Sequence, residues 1–263
     1  MLKERILSAL ALMPLALALL YLGGWWFTAL VALFGALAAY EGFAMLRHAG
    51  HHPFTWLGIS MVLLLILHAA WRPYDEDLPL LLTALVLITL TRALFHASPH
   101  PATDWALTLA LTLYLGLLMR YGPLLRNHPA GLQWVLAALL TTWLTDTAAY
   151  LIGLRFGHHR LAPRLSPKKS WEGAIGGWLV GVIGGASFLP WLLPGLTVIQ
   201  GAALAAAVCT VAPLGDLAES MLKRQCGVKD SGHLIPGHGG ALDRVDSLLF
   251  VFPTVYLFAQ LWG

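Results

Sequence analysis

Charged residues are scarce in this chain of 263 residues. Only 11% are Asp, Glu, Lys or Arg, and 58% are hydrophobic, whereas soluble domains carry roughly 25% charged residues. The two cysteines, Cys209 and Cys226, are too few for a disulfide framework, and we interpret them as reduced packing residues. The net charge is only +3, and the basic residues alternate with apolar runs. This distribution argues against a nucleic-acid-binding surface, so we expect no nucleic-acid partner.

The chain has long apolar runs instead. A transmembrane helix needs about 17–25 apolar residues, and nine segments approach or reach this length: residues 6–22, 25–46, 55–71, 78–95, 105–120, 132–154, 173–193, 196–221 and 246–262. The first run is longer than a signal-peptide core, and residues 23–26 make a poor cleavage site, so we interpret it as a retained span. The sequence therefore predicts an all-α polytopic integral membrane protein with about nine transmembrane helices.

The basic residues predict the orientation of these spans. With the N-terminus in the cytoplasm, 13 of the 16 Lys and Arg residues fall on the cytoplasmic side, and only Arg72, Arg120 and Arg126 fall on the far side. The cytoplasmic side then receives two polar loops, residues 155–172 and 223–245, which can form one site. We divide the chain accordingly into N-terminal helices, residues 1–130, and a functional part, residues 131–263.

Outside residues 215–247, two acidic residues lie within the predicted spans. Asp146 shares a helix face with Thr142 and Tyr150, and an uncompensated carboxylate in a span is expected to face the protein interior or a watery cavity. The alternative is an acid that hydrogen-bonds between packed helices. Glu41 lies near the cytoplasmic end of its segment, and we favour a structural role for it over a functional one.

The loop of residues 155–172 is basic. Its charges can be topogenic or can bind anionic lipid headgroups. However, Ser170 opens the next apolar segment beside Lys168 and Lys169, and a helix N-terminus next to ammonium groups attracts phosphate. We therefore predict a phosphate or headgroup site there. The glycines of segment 173–193 predict close helix packing.

Residues 215–247 concentrate the remaining charge. They hold five of the 13 acidic residues, together with basic residues and a glycine-rich loop. Asp216, Ser220 and Lys223 share a helix face, with Glu219 close to it, and Asp243 and Asp246 lie one turn apart at the next helix start. Carboxylates without cysteine ligands suit a hard cation such as Mg²⁺ with substrate phosphates, and Lys and Arg suit a polyphosphate. A merely topogenic loop would not need the acids.

The motifs in this region resemble those of one family. Residues 220–224 (Ser-Met-Leu-Lys-Arg), 229–232 (Lys-Asp-Ser-Gly) and 236–246 (Pro-Gly-His-Gly-Gly-Ala-Leu-Asp-Arg-Val-Asp) resemble the signature of phosphatidate cytidylyltransferases, the CDP-diacylglycerol synthases. Residues 166–173 and Asp146 with Ala149 and Tyr150 are also similar to that family. The resemblance is sharpest over about residues 142–247, and the N-terminal spans match in general character only.

The resemblance implies a Mg²⁺-dependent reaction in which CTP and phosphatidate give CDP-diacylglycerol and pyrophosphate. It also implies a homodimer among membrane lipids, in bacteria in the cytoplasmic (inner) membrane, and it leaves room for a monovalent cation such as K⁺ beside the Mg²⁺. Residues 1–130 then form a scaffold with a possible role in dimerisation, and residues 131–263 form the catalytic part.

With the resemblance, each polar residue receives an expected role. Metal binding falls to Asp216 and Asp243, with Asp246 and Asp146 as second-rank ligands. We expect Lys223 and Lys229, with Asp216, Asp243 and Asp246, to be catalytic. The expected substrate-binding residues are Lys168, Lys169, Ser170, Ser220, Arg224, His233, His238, Gly239, Gly240 and Arg244. The two histidines can alternatively be metal ligands or bases.

Three other functions remain open at this point. The first is another membrane enzyme that uses CTP with a different acceptor, such as a polyprenol kinase. The second is a transporter that uses Asp146, Asp216 and Asp246 as an ion relay, which leaves the basic glycine-rich loop unexplained. The third is a lipid-binding structural protein, which would not need paired acids.

Overall fold

The structure, a computed structural model, describes residues 13–71, 76–232 and 239–263. Helices dominate these residues, with a π-helical turn at Leu113–Leu117 after α5. The helices are α1 (Met13–Leu22), α2 (Gly24–His48), α3 (Thr55–Trp71), α4 (Leu78–Leu94), α5 (Pro101–Thr112), α6 (Tyr121–Asn127), α7 (Gly131–Phe156), α8 (Trp171–Leu192), α9 (Val198–Gln225) and α10 (Leu242–Trp262).

Six helical stretches are long and apolar enough to cross a membrane: α2, Pro101–Asn127, α7, α8, α9 and α10. The helices α1, α3 and α4 are apolar but shorter. Within the described residues, each predicted apolar segment coincides with helical structure, and the protein is an integral membrane protein. The count of nine spans and the cytoplasmic N-terminus stay predictions.

The prediction of an all-α fold needs one correction, because a short antiparallel hairpin joins α7 to α8. Strand β1 (Arg160–Ala162) pairs with β2 (Ser166–Ser170), and Arg160 lies opposite Ser170. Glu172, in the first turn of α8, binds the residues just before β1. Its side chain accepts hydrogen bonds from the backbone N–H of His158 and of His159, both at 3.2 Å. The strands are short and mostly polar, so no period-two alternation of apolar residues marked them in the sequence.

The described residues fall into two compact units. The first comprises Met1–Leu124 and Gln225–Val245. In it α2 packs on α3, where Gly58 leaves room for the Phe43 ring, and the π-helical turn approaches α3. A Cβ on Gly116 of that turn would lie 3.1 Å from Cα of Val62. The predicted division at residue 130 is a functional one and stays a prediction, whereas the structural division places residues 225–245 with the N-terminal helices.

The second unit comprises Leu125–Arg224 and Asp246–Gly263. Four buried glycines recur at every fourth position along α8, from Gly173 to Gly185. A Cβ on Gly177 would lie 2.9 Å from Cα of Ala149 on α7. Small residues at this spacing let two helix backbones approach closely. The predicted close packing of this glycine-rich helix is therefore confirmed.

Candidate active site

The candidate site of the second unit forms where α9 and α10 touch. Gly215 on α9 lies against the backbone of α10, since a Cβ there would be 2.5 Å from the carbonyl oxygen of Asp246 and 3.0 Å from Cα of Ser247. This approach brings together three acidic side chains, Asp216, Glu219 and Asp246, each with an oxygen within 4.8 Å of the others. We call this set the carboxylate cluster.

Two lysines compensate the carboxylate cluster. Lys169, at the end of the hairpin, places Nζ 2.5 Å from Oδ2 of Asp216, and Lys223 places Nζ 2.5 Å from Oε2 of Glu219. Glu219 is fully buried and Lys223 is 9% exposed, so this pair is removed from water. A buried carboxylate needs such a partner, because an isolated buried charge is very costly.

The polar face predicted on α9 is also present. The Ser220 hydroxyl donates to Oδ1 of Asp216 at 3.2 Å, as expected for residues four positions apart on a helix. Lys223 contacts Glu219, which the sequence placed only close to that face. Glu219 is thus a site residue that sequence reasoning did not select, although its position one turn after Asp216 was visible.

Asp146 on α7 lies within electrostatic range of this cluster. The charges of Lys169 and Asp216 both act on its carboxylate, and those of Asp216, Lys169 and Lys223 act on Asp246. Asp146 is exposed, whereas Thr142 on the same helix is buried.

The hairpin and the end of α9 meet within the second unit. Arg224 donates from Nε to the backbone oxygen of Leu165 at 3.2 Å, and Lys169 forms its ion pair with Asp216. Ser170 is buried and acts as the N-cap of α8, where its hydroxyl accepts the Gly173 N–H at 3.2 Å. Lys168 is exposed. Arg224, at the end of α9, thus contacts the loop of residues 155–172 within the second unit, whereas a single site formed by both loops stays a prediction.

The donor set of the carboxylate cluster fits a hard divalent cation. Its three side chains offer only oxygen, which is the chemistry that Mg²⁺ prefers. Asp216 and Asp246 of the predicted ligand set belong to this cluster, and Glu219 adds a third carboxylate.

The other predicted residues belong to the first unit. The Asp243 carboxylate accepts three hydrogen bonds at Oδ2, from the Ser231 N–H (3.2 Å), the Ser231 hydroxyl (2.9 Å) and the Gly240 N–H (2.9 Å). Lys229 and Arg244 are exposed, and Gly239 has φ of +82°, which favours glycine. His233 and His238 lie outside the described residues. The metal, catalytic and binding roles of these residues stay predictions.

Two residues of the first unit were not selected as site residues from the sequence. Ser231 donates to Asp243 and also to Glu41, which is 2% exposed and accepts backbone hydrogen bonds from Ala241 and Leu242. The preference for a structural role of Glu41 agrees with these contacts. Its partners are about 200 positions away along the chain, so no local pattern could reveal them.

The long apolar helices define a polytopic membrane protein, and two of these helices carry an acidic cluster paired with lysines. Comparison with known proteins identifies its family. The model of the cytidylyltransferase family matches residues 3–262. The chain belongs to this family, and it is an enzyme of the nucleotidyltransferase class. The resemblance seen in the motifs is confirmed.

Curated relatives cover nearly the whole chain. A phosphatidate cytidylyltransferase from Synechocystis sp. is 38% identical, over 98% of this chain and 96% of the relative. One from Pseudomonas aeruginosa is 36% identical, over 100% of this chain and 99% of the relative. One from Haemophilus influenzae is 35% identical, over 96% of both chains. The similarity thus extends to the N-terminal spans, where the motifs alone indicated little.

Proposed function

We propose that this protein transfers the cytidylyl group of CTP to phosphatidate, giving CDP-diacylglycerol and pyrophosphate for phospholipid synthesis. The observation that carries the proposal is the carboxylate cluster with a lysine on each of two of its members. Lysine ammonium groups 2.5 Å from carboxylate oxygens allow one site to bind a cation through its carboxylates and a polyphosphate through its lysines. The relatives that match over nearly their full length are named phosphatidate cytidylyltransferases. This name indicates a cytidine nucleotide as the donor and phosphatidate as the acceptor.

The reaction joins two anions. A phosphate oxygen of phosphatidate attacks the α-phosphorus of CTP, the bond from that phosphorus to the oxygen bridging to the β-phosphate breaks, and pyrophosphate leaves with that electron pair. A phosphomonoester with a second pKa near 6 is largely dianionic at neutral pH, so no strong general base is required. Catalysis then depends on positive charge and in-line positioning.

The residues of the second unit provide both. Lys169 and Lys223 present ammonium groups at the carboxylate cluster, where they neutralise phosphate oxygens. Arg224, held by its bond to Leu165, adds a guanidinium suited to phosphate. Asp216, Glu219 and Asp246 would hold Mg²⁺, with Asp146 nearby; a bound Mg²⁺ supplies charge neutralisation of the triphosphate and of the departing pyrophosphate.

The remaining roles follow the family resemblance. Lys168 and the start of α8 at Ser170 bind the phosphates of phosphatidate or CTP. By the same resemblance, Asp243 binds the metal and Lys229 is catalytic. Substrate binding falls to Arg244, Gly239 and Gly240. The lipid tails stay in the bilayer and reach the site between helices. The proposal also includes a homodimer in the bacterial inner membrane. The site faces the cytoplasm, and a K⁺ binds beside the Mg²⁺.

The experiment that tests this function follows the label of CTP into lipid. Purified protein receives phosphatidate and CTP labelled at either the α- or the γ-phosphate, with and without Mg²⁺. We expect label from the α-position only, in CDP-diacylglycerol, and only with Mg²⁺. Asp216→Asn and Asp243→Asn should abolish the transfer while the protein stays folded, and Glu76→Gln, an exposed acid outside both loops, should leave it unchanged.

Other outcomes identify the alternatives. Transfer of the γ-label would indicate a CTP-dependent lipid kinase and reject the cytidylyl transfer. No labelled lipid from folded protein, with phosphatidate or with polyprenol acceptors, would contradict the proposal as a whole. The transporter and structural-protein alternatives are set aside because the chain belongs to a family of enzymes.

A further inference from the structure

Glu41 is a buried acid in the interior of α2, within the first unit. Both of its carboxylate oxygens are hydrogen-bonded. Oε1 accepts the Ala241 N–H at 3.0 Å, and Oε2 accepts the Leu242 N–H at 2.9 Å and the Ser231 hydroxyl at 3.1 Å. Since α10 begins at Leu242, a side chain from α2 accepts the N–H of the first residue of α10 and of the residue before it, where the helix dipole favours negative charge.

The same carboxylate contacts both ends of the segment of residues 232–240. A Cβ on Gly232 would lie 2.5 Å from Oε1 of Glu41, and a Cβ on Gly240 would lie 2.5 Å from Oε2. Any side chain at either glycine would therefore displace the carboxylate. This segment belongs to the signature that resembles the family. One buried acid thus packs against both of its terminal residues, Gly232 and Gly240.

Ser231 links Glu41 to Asp243. Its hydroxyl lies 3.1 Å from Oε2 of Glu41 and 2.9 Å from Oδ2 of Asp243. A serine hydroxyl has one proton to donate, so the two carboxylates share a single donor. The Gly240 N–H, next to the Ala241 N–H that Glu41 accepts, also donates to Asp243. A change at Glu41 therefore reaches Asp243 through two routes.

We infer that Glu41 is a positioning residue for the reaction: it holds the start of α10 and, through Ser231, the Asp243 carboxylate in their working geometry. It acts through its neighbours and does not itself contact the substrate. This inference rests on the proposed function, in which Asp243 takes part. It goes beyond a stabilising role, because it predicts loss of turnover in a variant that remains folded.

The test uses the full-length protein with Glu41→Gln. Glutamine has the same shape, but it presents an NH₂ group to donors that need an acceptor. We expect amide hydrogen exchange of Gly240–Leu242 to accelerate at least about tenfold, and kcat for cytidylyl transfer to fall about 10- to 100-fold. Ser231→Ala should also lower kcat. The loss in the double variant should be smaller than the product of the two single losses, since the two residues are in direct contact.

Asp104→Asn provides the matched control. Asp104 is also a buried acid of the first unit, and it likewise accepts from a backbone N–H and a serine hydroxyl, those of His52 and Ser98. Its loss should leave the exchange at residues 240–242 unchanged and kcat within about threefold. This control distinguishes the effect of losing any buried carboxylate from the effect of losing that of Glu41.

Each outcome bears on a separate claim. Unchanged exchange at residues 240–242 in Glu41→Gln, or an unchanged kcat with accelerated exchange, would overturn the inference. If Glu41→Gln does not fold, Ser231→Ala decides by the same two readouts. An inactive wild-type protein would instead contradict the proposed function, and the exchange measurement would still report whether Glu41 holds the start of α10.

Discussion

Lys169 and Asp216 form an ion pair, with 2.5 Å between Nζ and Oδ2, that joins the hairpin to helix α9. Lys169 is only partly exposed, and its ammonium group lies at the edge of the carboxylate cluster. In this position it compensates the negative charge of the acids, and under the proposed function it would contact phosphate once the acids hold Mg²⁺. The pair therefore connects the two halves of the chemistry that we propose, metal holding and phosphate binding.

Replacement of Lys169 by alanine should reduce kcat/KM for CTP about 10²- to 10³-fold, because a fixed positive charge next to the developing phosphate charge is lost. Lys169→Arg keeps the charge and should retain much more activity. Steady-state kinetics with phosphatidate in mixed micelles measures both. Arg164→Ala removes a positive charge from the same hairpin and should change kcat/KM by less than about threefold. Equal effects of Lys169→Ala and Arg164→Ala would mean that only the overall charge of the hairpin matters.

Glu219 gives the second prediction. Glu219→Gln preserves the volume of the fully buried side chain but removes one charge from the carboxylate cluster. We expect the Mg²⁺ concentration for half-maximal activity to rise at least about tenfold, as for a residue that supports a metal. Mg²⁺ titration of the rate measures this, with Glu76→Gln as the control acid. An unchanged Mg²⁺ requirement would remove Glu219 from the metal site and leave it as a partner of Lys223.

The parts of the molecule that could be predicted are those with local causes. Runs of bilayer length must form helices, because the backbone has no other partner in lipid, and the glycines of α8 predicted close packing. Asp216 could be selected because it shares a helix face with Ser220 and Lys223. Asp246 could be selected because it lies one turn from Asp243. Each of these signals can be read within a window of a few turns.

The parts that could not be predicted depend on contacts between distant segments. Nothing near Glu41 indicates that it accepts hydrogen bonds from Ala241 and Leu242, because helix α2 alone does not determine its neighbours. The hairpin was missed because β1 and β2 are too short to alternate. The preference for Asp243 over Glu219 as a ligand came from the motif and not from geometry.

Gly215 tests whether the contact of α9 with α10 creates the carboxylate cluster. Gly215→Val would place side-chain atoms against the Asp246 carbonyl oxygen and Ser247, so the helices must separate. We expect activity to be lost and stability to fall by about 1–3 kcal/mol, as for other overpacked sites. Gly195→Ala is the control, since no atom lies within 4 Å of its Cβ position. Thermal unfolding in detergent and the transfer assay measure the two effects, and a fully active Gly215→Val would show that the close approach is dispensable.

Cys226 lies just beyond α9 and is buried, and burial raises the pKa of its thiol above the ordinary value. The thiolate is the reactive form, so a raised pKa lowers the reactive fraction near neutral pH.

In a Cys209→Ala background, we expect N-ethylmaleimide to alkylate Cys226 at least about tenfold more slowly than it alkylates glutathione at pH 7. The rate should still be rising with pH above about 8.5, the ordinary value for cysteine. Mass spectrometry of quenched samples measures the rates, and protein unfolded in detergent should react at the ordinary rate. Fast alkylation of folded protein at neutral pH would contradict the prediction, because it would mean that the chain after α9 opens readily and exposes Cys226.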